Sequence, residues 1–131
     1  MVIVETTVWV DYFNDVSTPQ TDWLERNLTI ERMGLFDLIL YEILQGIRDE
    51  FEFAQTRREL LAFPPLSTGG ADLALAAAMN YRALRRKGIT VRKTVDTLIA
   101  TACIHGGHKL LHRDRDYDGF ETHLGLKVVH P

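Results

Sequence analysis

The chain of 131 residues is 46% hydrophobic and 25% charged, the make-up of one globular domain with its own core. Fifteen basic residues against eighteen acidic ones leave a net charge of −3, which excludes a chain that is basic throughout and holds nucleic acid by bulk charge. No apolar run reaches the roughly 20 residues of a membrane span. The first residues lack a basic-then-apolar signal, and the single cysteine, Cys103, rules out an internal disulfide. A reducing, cytoplasmic setting and no membrane partner are the expectation, with Cys103 a small core residue.

Val2-Ile-Val4 is short and β-branched, as a buried strand would be. Thr6 and Thr7 are the candidate caps of a helix running through Trp9 to Phe13. Asp15 to Pro19 reads as a turn, and Thr21 or Asp22 opens a short helix holding Trp23, Leu24 and Leu28. Thr29 to Arg32 is read as extended. Asp37 to Ile47 is apolar nearly all round, which predicts a deeply packed helix. Glu50 to Phe63 follows as a second helix, with Phe51, Ala54, Arg58 and Leu61 on one side and Pro64-Pro65 as its stop.

Asp72 to Lys87 carries Leu73, Ala77, Tyr81 and Leu84 at helical spacing, and Gly88 is placed to end it. The segment from Arg82 to Lys93 is basic, as is Arg113 to Arg115. Thr94 is the candidate cap of a helix from Val95 to His105. Lys109-Leu-Leu111 reads as a second buried strand and Leu126 to Val129 as a third. Strands alternating with helices predict a three-layer α/β/α fold around a short, mostly parallel sheet. No repeat, linker or low-complexity stretch interrupts residues 1–131, so a single domain is expected.

Four carboxylates stand in apolar company: Glu5, Glu42, Asp96 and Asp114. Burying an ionised carboxylate is costly unless it is paired or bound to a metal. In parallel α/β sheets, sites form where strands end. Glu5 closes the first strand, Asp114 lies just beyond the strand at Lys109-Leu111, and Asp96 sits in a first helical turn, which favours negative charge. Glu42 is different, because it lies in mid-helix. Such acids repel one another, and a divalent cation relieves the repulsion. Hard oxygen ligands without clustered histidine or cysteine favour Mg²⁺ or Mn²⁺ over Zn²⁺. A site of that kind suits in-line displacement at a phosphodiester. His105, His108, His123 and His130 lack ligand spacing, and no Ser-His-Asp order or glycine-rich phosphate loop is present.

The four acids and their surroundings resemble the PIN-domain ribonucleases, specifically the VapC-type toxins of toxin–antitoxin pairs. Val2-Ile-Val-Glu-Thr-Thr-Val-Trp-Val-Asp-Tyr-Phe13 is similar to the family's first strand and helix. Leu40-Tyr-Glu-Ile-Leu-Gln-Gly46 resembles its second motif, Asp96-Thr-Leu-Ile-Ala100 its third, and Leu111-His-Arg-Asp-Arg-Asp-Tyr117 its fourth. The resemblance implies Mg²⁺- or Mn²⁺-dependent cleavage of structured RNA such as tRNA or rRNA, growth inhibition, a homodimer, and a VapB-type antitoxin partner. By position it implies metal-ligand roles for Glu5, Asp96, Asp114 and Asp116. Glu42 joins Glu5, Asp96 and Asp114 as a catalytic acid, with supporting roles for Thr6 and His112. Arg92 and Lys93, just before Asp96, are candidates for holding RNA phosphates.

Two positions depart from the family's usual text. Its first acid is normally Asp, and here it is Glu5, a natural variant or an engineered attenuation. One more methylene moves the carboxylate by about 1.5 Å. Displacements of about 1 Å can cost on the order of 10²-fold in rate. Weak metal binding and low activity are therefore expected. His112 stands where the family often carries Thr or Ser. The alternative is a PIN-like or receiver-like module that holds a cation without cutting and acts through a protein partner. A receiver would want an acidic pair right after its first strand, where Thr6 and Thr7 stand instead.

Overall fold

Val2–Val4 forms β1, and its three side chains are no more than 4% exposed. A strand covered on both faces belongs in the middle of a sheet. β1 accordingly pairs in parallel with β2 (Met33–Phe36) on one side and β4 (Lys109–Leu111) on the other. Outside these lie the edge strands β3 (Pro65–Leu66) and β5 (Lys127–Val128). The order is β3-β2-β1-β4-β5, with all pairings parallel. The computed structural model describes residues 1–131.

Helices fill every crossover. α1 (Thr6–Phe13) and α2 (Pro19–Asn27) follow β1, and α3 (Asp37–Gln45) and α4 (Glu50–Leu60) follow β2. α5 (Ala71–Arg86) and α6 (Thr94–Gly106) lead to β4. A 3₁₀ turn (Arg115–Tyr117) and α7 (Asp118–Leu124) lead to β5. Right-handed crossovers put α1–α4 on one face of this sheet and α5–α7 on the other. Packing follows the same division: α1 touches α2 and α3, α3 touches α4, and α5 touches α6 and α7. The expected three-layer α/β/α architecture is what forms. No helix is long and apolar enough to cross a membrane.

Trp9, Leu24, Ile39 and Leu60 seal one face of the sheet and Leu84, Ile99, Tyr117 and Phe120 the other, all at 2% exposure or less. Trp9 stacks on Phe13 with ring centroids 5.7 Å apart. Cys103 is fully buried in the same core, where burial pushes its thiol up to about 12, the inert state expected of it.

Several local expectations are corrected. Thr6 and Thr7 lie inside α1, and the cap is Glu5, whose carboxylate accepts the Thr7 N–H at 2.9 Å. α2 starts earlier than expected, because Thr18 and Thr21 form a capping box and Pro19 supplies a ready-made first turn. Thr29 to Glu31 turns rather than extends, and the strand is the following Met33–Phe36. α3 stops at Gln45 and is not packed all round, since Tyr41 is 62% exposed. α4 stops at Leu60 and buries Thr56 and Leu60, so the side bearing Phe51, Ala54, Arg58 and Leu61 faces outward. The helix expected from Val95 starts one residue earlier, so Thr94 lies inside it and Lys93 occupies the cap position without a side-chain bond. The last strand shortens to Lys127–Val128.

Gly34 is the one glycine inside a strand, and close packing requires it. A Cβ there would stand 2.9 Å from Met1 Sδ, 3.0 Å from Ile3 Cδ1 and 3.1 Å from Leu66 Cδ1. Gly34→Val should therefore lower stability by roughly 1–3 kcal/mol, as overpacking does. Denaturant titration checks it; an unchanged midpoint would show that this seam has room to spare.

Candidate metal centre at the carboxyl edge of the sheet

The chain leaves β1 toward β2 and β3, then returns to place β4 on the other side of β1. Such a reversal opens a crevice beyond the carboxyl ends of the two central strands. The Glu5 N–H donates to the Leu111 carbonyl at 2.9 Å and ties those ends together. Residues following β1 and β4 are thus delivered to one place.

Asp96 reaches it from the first turn of α6 and is 3% exposed. Its Oδ1 accepts the Tyr117 hydroxyl at 3.1 Å, while its Oδ2 is buried without a hydrogen-bond partner. Burial raises the proton affinity of this carboxyl, and Asp114 and Glu42 raise it further; Tyr117 and Lys93 pull the other way. Asp114 follows β4, and its Oδ1 accepts the Asp116 N–H at 2.9 Å, which starts the 3₁₀ turn. That turn aims Asp116 back at the other two acids. Asp96, Asp114 and Asp116 each offer an oxygen within 4.8 Å of the others.

The remaining predicted residues surround this group in different ways. Glu5 is 5% exposed, and burial is the main reason its carboxyl rises from 4.5 to about 7, with Asp96 and Glu42 adding to the shift. Its Oε2 is turned back to the Thr7 N–H, and Glu5 lies outside the group of three. Glu42 also lies outside it; its Oε1 accepts the Thr6 hydroxyl at 2.6 Å, fastening α3 to α1. His112 Nδ1 accepts the Asp114 N–H at 3.1 Å, and its ring packs 4.8 Å from that of Tyr117. Burial lowers the proton affinity of this imidazole, and its Nε2 is buried without a partner. Arg92 is joined to the group, with Nε 3.0 Å from Asp116 Oδ2. Lys93 makes no ion pair but is near enough to act on Asp96.

Tyr117 is the site residue that the sequence reading passed over. It is fully buried and holds Asp96 in place. Its signal was its place directly after Asp116, but an aromatic beside Phe120 reads first as core.

The donor set suits a divalent ion. All three close groups are hard carboxylate oxygens, and the buried Asp96 Oδ2 lacks any other partner. Three acids so close repel one another unless a cation or protons intervene.

The chain is similar to known proteins along most of its length. Residues 2–121 match the family model of the PIN domain. A VapC ribonuclease of Mycobacterium bovis and Ribonuclease VapC11 of Mycobacterium tuberculosis are each 36% identical to the chain over 120 residues, covering 90% of both partners. The fold is similar to that of VapBC2 from Rickettsia felis bound to a DNA fragment from its promoter, with a TM-score of 0.74, 17% identity and 98% of each chain covered. It is also similar to FitAcB from Neisseria gonorrhoeae, with a TM-score of 0.75, 13% identity, and 100% and 98% covered. By the match of residues 2–121 to the PIN-domain model, and by 36% identity to VapC ribonucleases over 90% of its length, the chain belongs to the PIN-domain family.

Proposed function

We propose that the chain is a single PIN domain that works as the toxin of a VapBC-type pair, a divalent-metal-dependent endoribonuclease acting in the cytoplasm on structured RNA such as tRNA or rRNA. One observation carries the reading. Three carboxylates converge within 4.8 Å at the switch point, and one of their oxygens is buried without a partner. The 36% identity to named VapC ribonucleases supports the same reaction class. A VapB-type antitoxin, the RNA and a second copy of the chain are the proposed partners. The neighbouring VapBC structure supports the first of these.

In this reading Asp96, Asp114 and Asp116 hold Mg²⁺ or Mn²⁺. When bound, the ion would supply a nucleophile at neutral pH and offset the charge at the phosphodiester. The chain's own residues do the positioning. Tyr117 orients Asp96, and the Asp116 N–H orients Asp114. Thr6 fixes Glu42 at the rim, and His112 holds the backbone that carries Asp114. Arg92 and Lys93 face phosphate, the first already beside Asp116. Glu5 contributes charge but spends one oxygen on the cap of α1. That withdrawal supports a weakened site, and it is the one feature that favours a non-cleaving, partner-bound module.

Three outcomes test the reading. With total RNA and Mn²⁺, Glu5→Asp should give discrete fragments faster than the parent chain, and Asp96→Asn or chelator should abolish them. No cleavage by any form would favour the binding module. Tyr117→Phe should weaken Mn²⁺ binding by about 10–100-fold, the usual cost of losing a group that orients a ligand; isothermal titration with Mn²⁺ reads it, and unchanged affinity would remove Tyr117 from the site. Glu5→Gln keeps an acceptor for the Thr7 N–H and removes the titration. From about pH 4.5 to 7 the unfolded chain releases a proton that the folded chain retains, so stability falls as pH rises. In chelator, Glu5→Gln should match the parent near pH 4 and exceed it above pH 7 by up to about 3 kcal/mol. A constant difference across that window would contradict the buried acid.

A further inference from the structure

The charge of the chain is divided unevenly. Arg82, Arg85, Arg86, Lys87, Arg92 and Lys93 fall within twelve residues, and no Asp or Glu occurs from Leu73 to Val95. All six are exposed. Outside this segment, nine basic residues face all eighteen acids. The nearest acid beyond the segment is Asp96 itself, in the metal centre. A solvated helix face would ordinarily mix signs. This one does not.

Placement gives the segment a direction. The last turn of α5 and the loop after it lie against the start of α7: a Cβ added at Gly119 would meet Ile89 Cγ2 at 3.3 Å and Leu84 Cδ2 at 3.5 Å. Gly119 is three residues beyond Asp116. At the far end of the loop Arg92 contacts Asp116 directly, at 3.0 Å. Of the six cations, Arg92 alone forms an ion pair with an acid. Arg85 is steadied instead over the Tyr81 ring, 5.7 Å from its centroid. The row therefore begins on the open surface of α5 and ends at the carboxylates.

We propose that residues 82–93 form a track for the phosphodiester backbone of a single RNA strand, with Arg92 at its inner end and the row from Arg82 to Lys87 as its outer part. The proposal rests on the reading of the acidic group as an RNA-cleaving site. Four of the six are arginines, whose fork of N–H donors suits phosphate oxygens. Backbone contacts position a strand without reading its bases, so the track sets affinity and direction, and the pocket is left to select the cleavage point. An acidic protein partner presents the same sign of charge. RNA is favoured because the row terminates in the site rather than beside it.

The experiment is a binding titration in chelator, on the full chain carrying Asp96→Asn so that no cutting intervenes. The probes are a 20-nucleotide unstructured RNA, a tetranucleotide and poly-glutamate. The track variant is Arg82→Gln/Arg86→Gln/Lys87→Gln; the control, Arg26→Gln/Arg57→Gln/Arg58→Gln, removes the same charge from α2 and α4. The track variant should bind the 20-mer at least 10-fold more weakly, with the slope of log affinity against log salt reduced by about 2, since each lost phosphate contact to a single strand accounts for about 0.7. The tetranucleotide should show less than half that loss in log affinity, and the control should bind within twofold of its parent. Equal losses in track variant and control would reduce the effect to bulk charge and overturn the proposal. So would an unchanged 20-mer affinity, or tighter binding of poly-glutamate than of RNA at equal charge. Cleavage by the Asp96-intact chain is scored separately: no cutting in any metal defeats the nuclease reading alone, while the binding comparison still decides the track.

Discussion

Like charges confined at the end of a sheet set the terms for the rest of this molecule. Two unit charges about 5 Å apart repel by roughly 3 kcal/mol at an effective dielectric of about 20. Asp96, Asp114 and Asp116 are brought at least that close, and Asp96 is almost wholly withdrawn from water. Only two of them are gathered locally. Asp114 and Asp116 ride on the turn after β4, and Asp96 on the first turn of α6. They meet because α6 packs back along β4 and against that turn, which sets the start of the helix beside the end of the strand. The buried apolar strands therefore hold together a site that would otherwise push itself apart.

Glu5 shows how that constraint acts on one side chain. Its backbone is locked to β4 through the Leu111 carbonyl, so the residue cannot retreat. An aspartate at this point would have little choice of direction. The additional methylene gives Glu5 the reach to turn back on α1 and accept the Thr7 N–H, which satisfies one of the free donors at that helix start. The same move leaves it in a dry position, where its carboxyl rises to about 7. The departure from the family's usual residue is thus absorbed locally, at the expense of a place among the three close acids.

The central strands could be read from the chain because Val2-Ile-Val4 and Lys109-Leu-Leu111 are short runs that only a covered sheet would bury. β2 and β3 could not. Met33-Gly-Leu-Phe36 holds a glycine and runs straight into α3, and Pro65–Leu66 is a two-residue edge strand. Their strand character comes from pairing, which no local pattern records. The same limit applies to α4: helical spacing placed Phe51, Ala54, Arg58 and Leu61 on one face, but spacing cannot say which face meets the sheet. In the site, acids stranded among apolar residues gave Asp96 and Asp114 away. Tyr117 was hidden because its hydroxyl acts through Asp96, 21 residues distant in sequence.

The groups that hold the acids explain why the pocket keeps its charge. Asp96 is held by a tyrosine hydroxyl, Asp114 by a backbone N–H, Glu42 by a threonine hydroxyl and Glu5 by another backbone N–H. Each of these donors is neutral. Neutral donors orient a carboxylate without cancelling it, so the negative potential remains for a cation to meet. Lysines or arginines in the same places would have closed the site with buried ion pairs and left nothing for a metal to do. Arg92 is the exception, and it differs in kind. Its side chain is 69% exposed and touches Asp116 from outside. An ion pair open to water contributes little. That is too little to compete with a divalent ion among three carboxylates, and little enough for the guanidinium to be given up to a phosphate.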